Sequence, residues 1–122
     1  PIYFHCSVGA DRTGTLAYII EALLGVDFDH ILIDYELTSF STSTTGGIRN
    51  RSIIVEKDGS YYFQNPSIDD MSQIGRLWYC HNQFMQKYSE YSDNMSEVME
   101  KYLLDVGVKQ SDIDKFKEIM LG

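Results

Sequence analysis

Several kinds of residue are scarce in this chain, and each scarcity excludes a class of protein. Its 122 residues include only 2 cysteines, which provide no disulfide framework. Lysine and arginine number 10 against 18 aspartates and glutamates, so the net charge of −8 argues against nucleic acid and anionic membranes as partners. No signal peptide or membrane-spanning apolar run is visible. We expect a cytoplasmic protein, with secretion left open.

Metal-ligand spacing is also lacking. His30 and His81 are each isolated from other ligand types, and Cys80 stands alone near Trp78. We therefore expect no metal and no other cofactor. For Cys80 the sequence leaves two interpretations open: a buried structural thiol, or a partner that protects Cys6 by a reversible disulfide.

The most informative segment is the ten residues from His5 to Gly14, with the sequence HCSVGADRTG. It places a cysteine and an arginine six positions apart on a short loop, after an apolar strand at Pro1–Phe4 and before a helical pattern. Backbone N–H groups at a helix start have no intrahelical partner, and the macrodipole there is positive. Gly9 permits the backbone angles of a tight anion nest. The segment therefore predicts a thiolate beside a phosphate cradle.

Each polar residue of this loop has a candidate role. The helix start and the cation should lower the pKa of Cys6, which makes it a nucleophile. Arg12 can direct two N–H groups onto phosphoryl oxygens. Asp11 is the candidate general acid, or else orients Arg12 or caps the helix. Thr13 could donate its hydroxyl to the Cys6 sulfur, and His5 is expected to support the loop from behind.

The loop resembles that of the cysteine-dependent protein tyrosine phosphatase superfamily, most closely its atypical bacterial branch with the pattern H-C-x-x-G-x-D-R-T-G. Asp34-Tyr35, Tyr102-Leu103 and Gly107-Val108 resemble that family as well. The resemblance implies Cys6, Asp11 and Arg12 as catalytic residues and favours Asp11 as the acid. The implied substrate-binding residues are Ser7, Val8, Gly9, Ala10, Thr13 and Gly14.

The chain departs from that family in two ways. Some members that act on phosphoinositides carry lysine where this chain has Ala10, which weakens a phosphoinositide interpretation. The family also has strands and helices before the loop, so we expect residues 1–122 to be one partial phosphatase domain, the C-terminal portion of an α/β fold. An unpaired strand would then favour a homodimer or pairing with the missing N-terminal half.

These features predict hydrolysis of phosphate monoesters through a cysteinyl-phosphate intermediate. The expected substrates are phosphotyrosine proteins, with phosphoserine and phosphothreonine left open. Two alternatives stay open: a phosphatase for phosphoinositides or inositol phosphates, and an inactive phosphate-binding module.

The resemblance implies an α/β fold with a parallel sheet flanked by helices. Hydrophobic spacing predicts about five helices, one central strand and a hairpin in this chain. Residues 1–25 form the strand, loop and first helix, and residues 26–122 are mainly helical. Helices are expected at Thr13–Leu24, from Asp27 or Phe28 to Leu37, at Ile68–Tyr88, from Ser92 or Asp93 to Asp105, and from Ser111 onward. Asp58-Gly59 predicts a hairpin over residues 52–63.

The expected buried faces comprise apolar residues at helical spacing: Leu16, Ile19, Ile20, Leu23 and Leu24 in the first helix, and Ile113, Phe116, Ile119 and Met120 in the last. Residues 39–51 contain a Ser/Thr/Gly run that is a connection or a substrate-recognition lid. Arg49 and Arg51 are solvated charges there, or one reaches the substrate.

Overall fold

Five helices make up most of the regular structure in the part of the chain that the structure describes. The computed structural model describes residues 2–7, 9, 11–36, 54–63 and 76–122. The helices are α1 (Asp11–Leu23), α2 (Phe28–Glu36), α3 (Arg76–Lys87), α4 (Met95–Asp105) and α5 (Gln110–Leu121). Within these residues, each helix is too short or too polar to cross a lipid bilayer.

A hairpin lies where the Asp-Gly pair predicts one. Strands β1 (Ile54–Lys57) and β2 (Ser60–Phe63) pair antiparallel. Asp58 has φ 53° and Gly59 has φ 74°, so both turn residues are left-handed, as a type I′ turn requires. Ser52 and Ile53 lie outside the described residues.

The parallel sheet that the resemblance implies is not found among the described residues. Ile2 to Cys6 carry no regular secondary structure, so the strand expected at Pro1–Phe4 is wrong for the part that is described. Ile2 is 91% exposed and Tyr3 87% exposed. A strand requires a neighbour to exchange backbone hydrogen bonds with, and in the described residues the only strand pairing is β1 with β2.

Helix α1 begins two residues earlier than its apolar pattern predicts, at Asp11 rather than Thr13. A carboxylate in the first turn is favourable because the helix N-terminus carries partial positive charge, and apolar periodicity does not report it. The helix ends as expected at Gly25, which has φ 84°. The Gly25 and Val26 N–H groups donate to the carbonyls of Ala22 and Glu21 at 3.1 and 3.0 Å, which closes a Schellman motif.

The other helix boundaries fall within a few residues of the predicted ones. Helix α4 starts at Met95 because the Asn94 side chain, not Ser92 or Asp93, accepts hydrogen bonds from the N–H groups of the first turn, at 2.9 and 3.1 Å. Helix α5 starts at Gln110, one residue before Ser111. The described part of α3 lies inside the predicted 68–88 helix, and Leu37 and residues 68–75 lie outside the described residues.

The core lies where α1 packs against α2, α3 and α4. Tyr18 and Ala22 of α1 are fully buried, four residues apart on one face. This orientation leaves Leu16 42% exposed, so the predicted inward position of Leu16 is wrong. The remaining members of the core cluster are Leu23, Ile31, Leu32, Tyr35, Leu77, Met99 and Ile113.

Helix α5 contributes less to the core than its apolar residues predict. Ile113 is buried and Phe116 packs against the cluster, as expected. Ile119 is 69% exposed and Met120 is 53% exposed, so both were wrongly assigned to the interior. The last turn of α5 is therefore apolar in sequence without being buried.

An aromatic cluster surrounds His81 in α3. The His81 ring stacks on Phe28 with centroids 3.8 Å apart, and it meets Tyr18 edge to face at 6.0 Å. The Tyr18 hydroxyl lies 3.1 Å from His81 Nδ1. Burial, with the nearby Cys80 adding to it, raises the pKa of Tyr18, and burial lowers the pKa of His81 to about 4. Both side chains are therefore neutral at pH 7, and Tyr18 donates to an unprotonated ring nitrogen.

One hydrogen bond connects α1 directly to α4. The Ser96 hydroxyl donates to the Leu23 carbonyl at 3.0 Å, across 73 residues of chain. Carbonyls in the last turn of a helix lack intrahelical donors, so Ser96 satisfies one of them. The Lys117–Glu100 ion pair similarly joins α5 to α4.

We expect acid to destabilise the chain through His81. The unfolded chain retains a pKa near 6.5 and the folded chain about 4, so the unfolded state binds the extra proton first. The stability that neutral His81 contributes is fully present above pH 6.5 and is lost as the pH falls towards 4. The loss is about 2 kcal/mol once solvent screening of the partly exposed ring is allowed for.

The test is urea unfolding at pH 7.5, 6, 5 and 4.5 for the parent, His81→Gln and His30→Gln. The last is a control because His30 lies in an exposed pair with Asp27, where solvent screens the charges, and not in the core. His81→Gln should flatten the pH dependence and His30→Gln should not. An equally steep fall in His81→Gln would rule His81 out as its source.

Candidate active site

The predicted phosphate loop leads directly into the N-terminus of α1. Cys6 is partly buried, and Ser7 is exposed on the segment that enters the loop. Val8 and Ala10 lie outside the described residues, and so do Arg49 and Arg51. The described part of the site therefore comprises the chain around Cys6, the turn at Gly9, and the first turn of α1.

Gly9 has the backbone conformation that the anion nest calls for. Its φ is +70°, in the left-handed region. A Cβ added there would find no atom within 4 Å, so space does not explain the glycine. The left-handed backbone conformation explains the glycine, because this φ is unfavourable for L-residues that have a side chain.

Asp11 and Arg12 belong to the first turn of α1, whereas the sequence placed them on the loop. This difference determines which backbone N–H groups lack an intrahelical partner. The N–H groups of Asp11, Arg12 and Thr13 occupy positions that have no intrahelical acceptor, and they point toward the loop end of the helix. The Thr15 hydroxyl donates to the Asp11 carbonyl at 2.8 Å and so reinforces this turn.

Two side-chain donors stand beside those N–H groups. Arg12 is exposed, and within the described ranges no carboxylate pairs with it. The Thr13 hydroxyl is fully buried and has no hydrogen-bond partner among the described residues. A buried hydroxyl without a partner is costly, so this atom is suited to a sulfur or oxygen acceptor in the loop.

His5 contacts the loop backbone, as the sequence predicts for a supporting residue. Its Nδ1 lies 3.2 Å from the Cys6 carbonyl oxygen, so the ring nitrogen donates. Tyr3 places its ring 5.5 Å from the imidazole, centroid to centroid. Both side chains are exposed, and His5 acts on the backbone of Cys6 in this arrangement.

Tyr35 is also a neighbour of this site, although the residues of the loop do not indicate it. A Cβ built on Gly14 would lie 2.5 Å from Tyr35 Cδ2, closer than real contacts allow. Tyr35 lies 21 residues further along, in α2, and is 4% exposed. The signal in the sequence is a glycine inside a helix, which is unfavourable unless something requires it.

Cys80 is partly buried rather than fully buried. It lines a cavity of about 440 Å³ together with Tyr79, Gln83, Phe84, Gln86 and Lys87. The structure has no disulfide between Cys80 and Cys6. The reversible pairing of these two thiols stays a prediction.

Comparison of the sequence with models of known protein families gives a match. A family model described as "Tyrosine phosphatase family" matches residues 1–122, the whole of the chain. No curated protein and no solved structure matches the chain.

Gly9 provides a test of the loop conformation. We expect Gly9→Ala to disfavour the left-handed turn by about 1–2 kcal/mol, and Gly9→Asn to disfavour it less because asparagine tolerates this region. The measurement is the rise in Tm that inorganic phosphate produces in each variant. The rise should be smallest for Gly9→Ala, and equal rises in the alanine and asparagine variants would contradict the assignment.

Proposed function

Because the chain belongs to the tyrosine phosphatase family, we propose that it hydrolyses phosphate monoesters of phosphotyrosine proteins through a cysteinyl-phosphate intermediate. Phosphoserine and phosphothreonine proteins are further substrates of the same chemistry. One observation carries the proposal: the segment holding Cys6 turns at Gly9, with φ +70°, directly into the N-terminus of a helix whose first turn holds Asp11 and Arg12.

Binding of the substrate rests on the donors at the start of α1. A phosphate monoester is a dianion, and unpaired N–H groups at a helix N-terminus together with the macrodipole stabilise it. Arg12 adds a forked guanidinium that matches two phosphoryl oxygens. With a net charge of −8, the chain attracts a dianion only through such a local arrangement.

The first chemical step transfers the phosphoryl group to sulfur. The Cys6 thiolate attacks phosphorus, and the bond from phosphorus to the ester oxygen breaks. Asp11, in its acid form, gives its proton to the departing oxygen, so the alcohol or phenol leaves neutral. The products of this step are cysteinyl phosphate and the Asp11 carboxylate.

The second step releases phosphate. A water molecule attacks phosphorus, and the Asp11 carboxylate takes one of its protons. The phosphorus–sulfur bond breaks and restores the Cys6 thiolate. The Thr13 hydroxyl, buried and without a partner among the described residues, is suited to donate to that sulfur as it leaves.

Phosphotyrosine is favoured over phosphoinositides by one residue. The loop carries Ala10 where a lysine would add a second cation for a polyanionic headgroup. Rates on a phosphotyrosine peptide, a phosphoserine peptide and an inositol phosphate at equal concentrations compare the classes. A faster rate on the inositol phosphate would replace the proposed substrate class and leave the mechanism intact.

Replacing the nucleophile should separate binding from chemistry. We expect Cys6→Ser to reduce hydrolysis of p-nitrophenyl phosphate to background, because the serine hydroxyl is not ionised at neutral pH. Binding of inorganic phosphate, measured by calorimetry, should persist. Cys80→Ser is the matched control and should retain turnover. Activity in Cys6→Ser equal to that of the parent would refute the proposed mechanism.

Replacing the acid should show a dependence on the leaving group. We expect Asp11→Asn to slow hydrolysis of phenyl phosphate by about 10²–10⁴-fold, since its leaving oxygen requires a proton. Hydrolysis of p-nitrophenyl phosphate should change little, because nitrophenolate leaves without one. The test compares kcat for the two esters in the parent and the variant. Equal losses on both esters would remove Asp11 from the acid role.

A further inference from the structure

We propose that Tyr35 is a positioning residue for the phosphate site. Its ring occupies the space left by the missing side chain of Gly14 and fixes the first turn of α1. This inference rests on the function proposed above. It gives a residue of α2 the role of positioning the site, which is separate from the roles proposed for the loop residues.

The glycine at position 14 has no backbone reason to be there. Gly14 lies inside α1 with no left-handed φ, unlike Gly9 and Gly25. Glycine destabilises a helix interior relative to alanine, because more of its backbone freedom is lost on folding. The reason for it is steric, since all three atoms nearest to a Cβ at this position belong to the Tyr35 ring.

The Tyr35 ring also belongs to the packed core. Tyr35 is 4% exposed, and Ile31 and Leu32, on the same helix, are 1% and 4% exposed. All three belong to the core cluster that includes Tyr18 and Ala22 of α1. The ring is therefore both a buried member of the core and a neighbour of the first turn of α1.

The contact between Tyr35 and Gly14 lies in the helical turn that carries the proposed catalytic groups. Gly14 follows Arg12 by two residues and Asp11 by three, in the same helical turn. The backbone donors, the guanidinium and the proposed acid all move with this turn. A shift of about 1 Å in catalytic groups can cost on the order of a hundredfold in rate.

The test is a double-mutant cycle on Gly14→Ala and Tyr35→Leu, with Tyr35→Phe and Ile113→Ala as controls. Tyr35→Phe retains the ring. Ile113→Ala truncates a buried residue of the same core cluster, on a helix other than those of Gly14 and Tyr35, and so lowers stability without removing their contact. Each variant is measured for kcat and KM on p-nitrophenyl phosphate, for the dissociation constant of inorganic phosphate, and for Tm.

We expect Gly14→Ala and Tyr35→Leu each to lower kcat by about tenfold to a hundredfold and to weaken phosphate binding. The double variant should lose less than the product of the two losses, because the alanine methyl then has room. Tyr35→Phe should lose less than Tyr35→Leu, because the ring is retained, and Ile113→Ala should lower Tm with kcat retained below it.

Two outcomes would overturn the inference: losses that multiply in the double variant, or a kcat loss in Ile113→Ala as large as in Tyr35→Leu at equal Tm. Failure of the proposed function looks different. If the folded parent chain binds phosphate but shows no turnover that depends on Cys6, the proposed hydrolase activity is refuted. The double-mutant cycle is then evaluated from the phosphate dissociation constants of the four chains. A parent chain that binds no phosphate refutes both.

Discussion

Helix α1 has to serve two purposes along one axis, and the rest of the described structure is organised around that constraint. Its first turn leaves N–H groups without intrahelical partners, while its later turns fill the interior with Tyr18 and Ala22. A helix start is stable in that condition only if the remainder of the helix is held firmly. Packing on α2, α3 and α4 holds it, and the Ser96 hydroxyl satisfies the carbonyl of Leu23 at the opposite end.

The interior around α1 contains three aromatic side chains that carry a hydrogen-bonding group. Tyr18, Trp78 and His81 each bury an apolar body with a group that can hydrogen-bond. The Tyr18–His81 pair satisfies itself, because one partner donates and the other accepts at 3.1 Å. Neutrality of both groups is what makes the arrangement stable, so the core beside α1 is sensitive to protonation.

The family was predictable because contiguous residues encode it. His5 to Gly14 place a cysteine, a glycine turn, an aspartate and an arginine at fixed spacing, and the family match agrees with the resemblance. Contacts between distant residues were not predictable: the Tyr35 ring over Gly14 and the Tyr18 hydroxyl on His81 join helices whose relative rotation no local pattern specifies. Boundaries shifted where a polar side chain decided them, as at Asn94.

The hydrogen bond from Ser96 to Leu23 also has a consequence for biosynthesis. Its two partners are separated by 73 residues, so α1 leaves the ribosome well before its support exists. At ordinary elongation rates this interval is roughly 4–15 s. During that time α3 and α4 are not yet available to cover the apolar face of α1, so that face stays exposed on the nascent chain until they emerge.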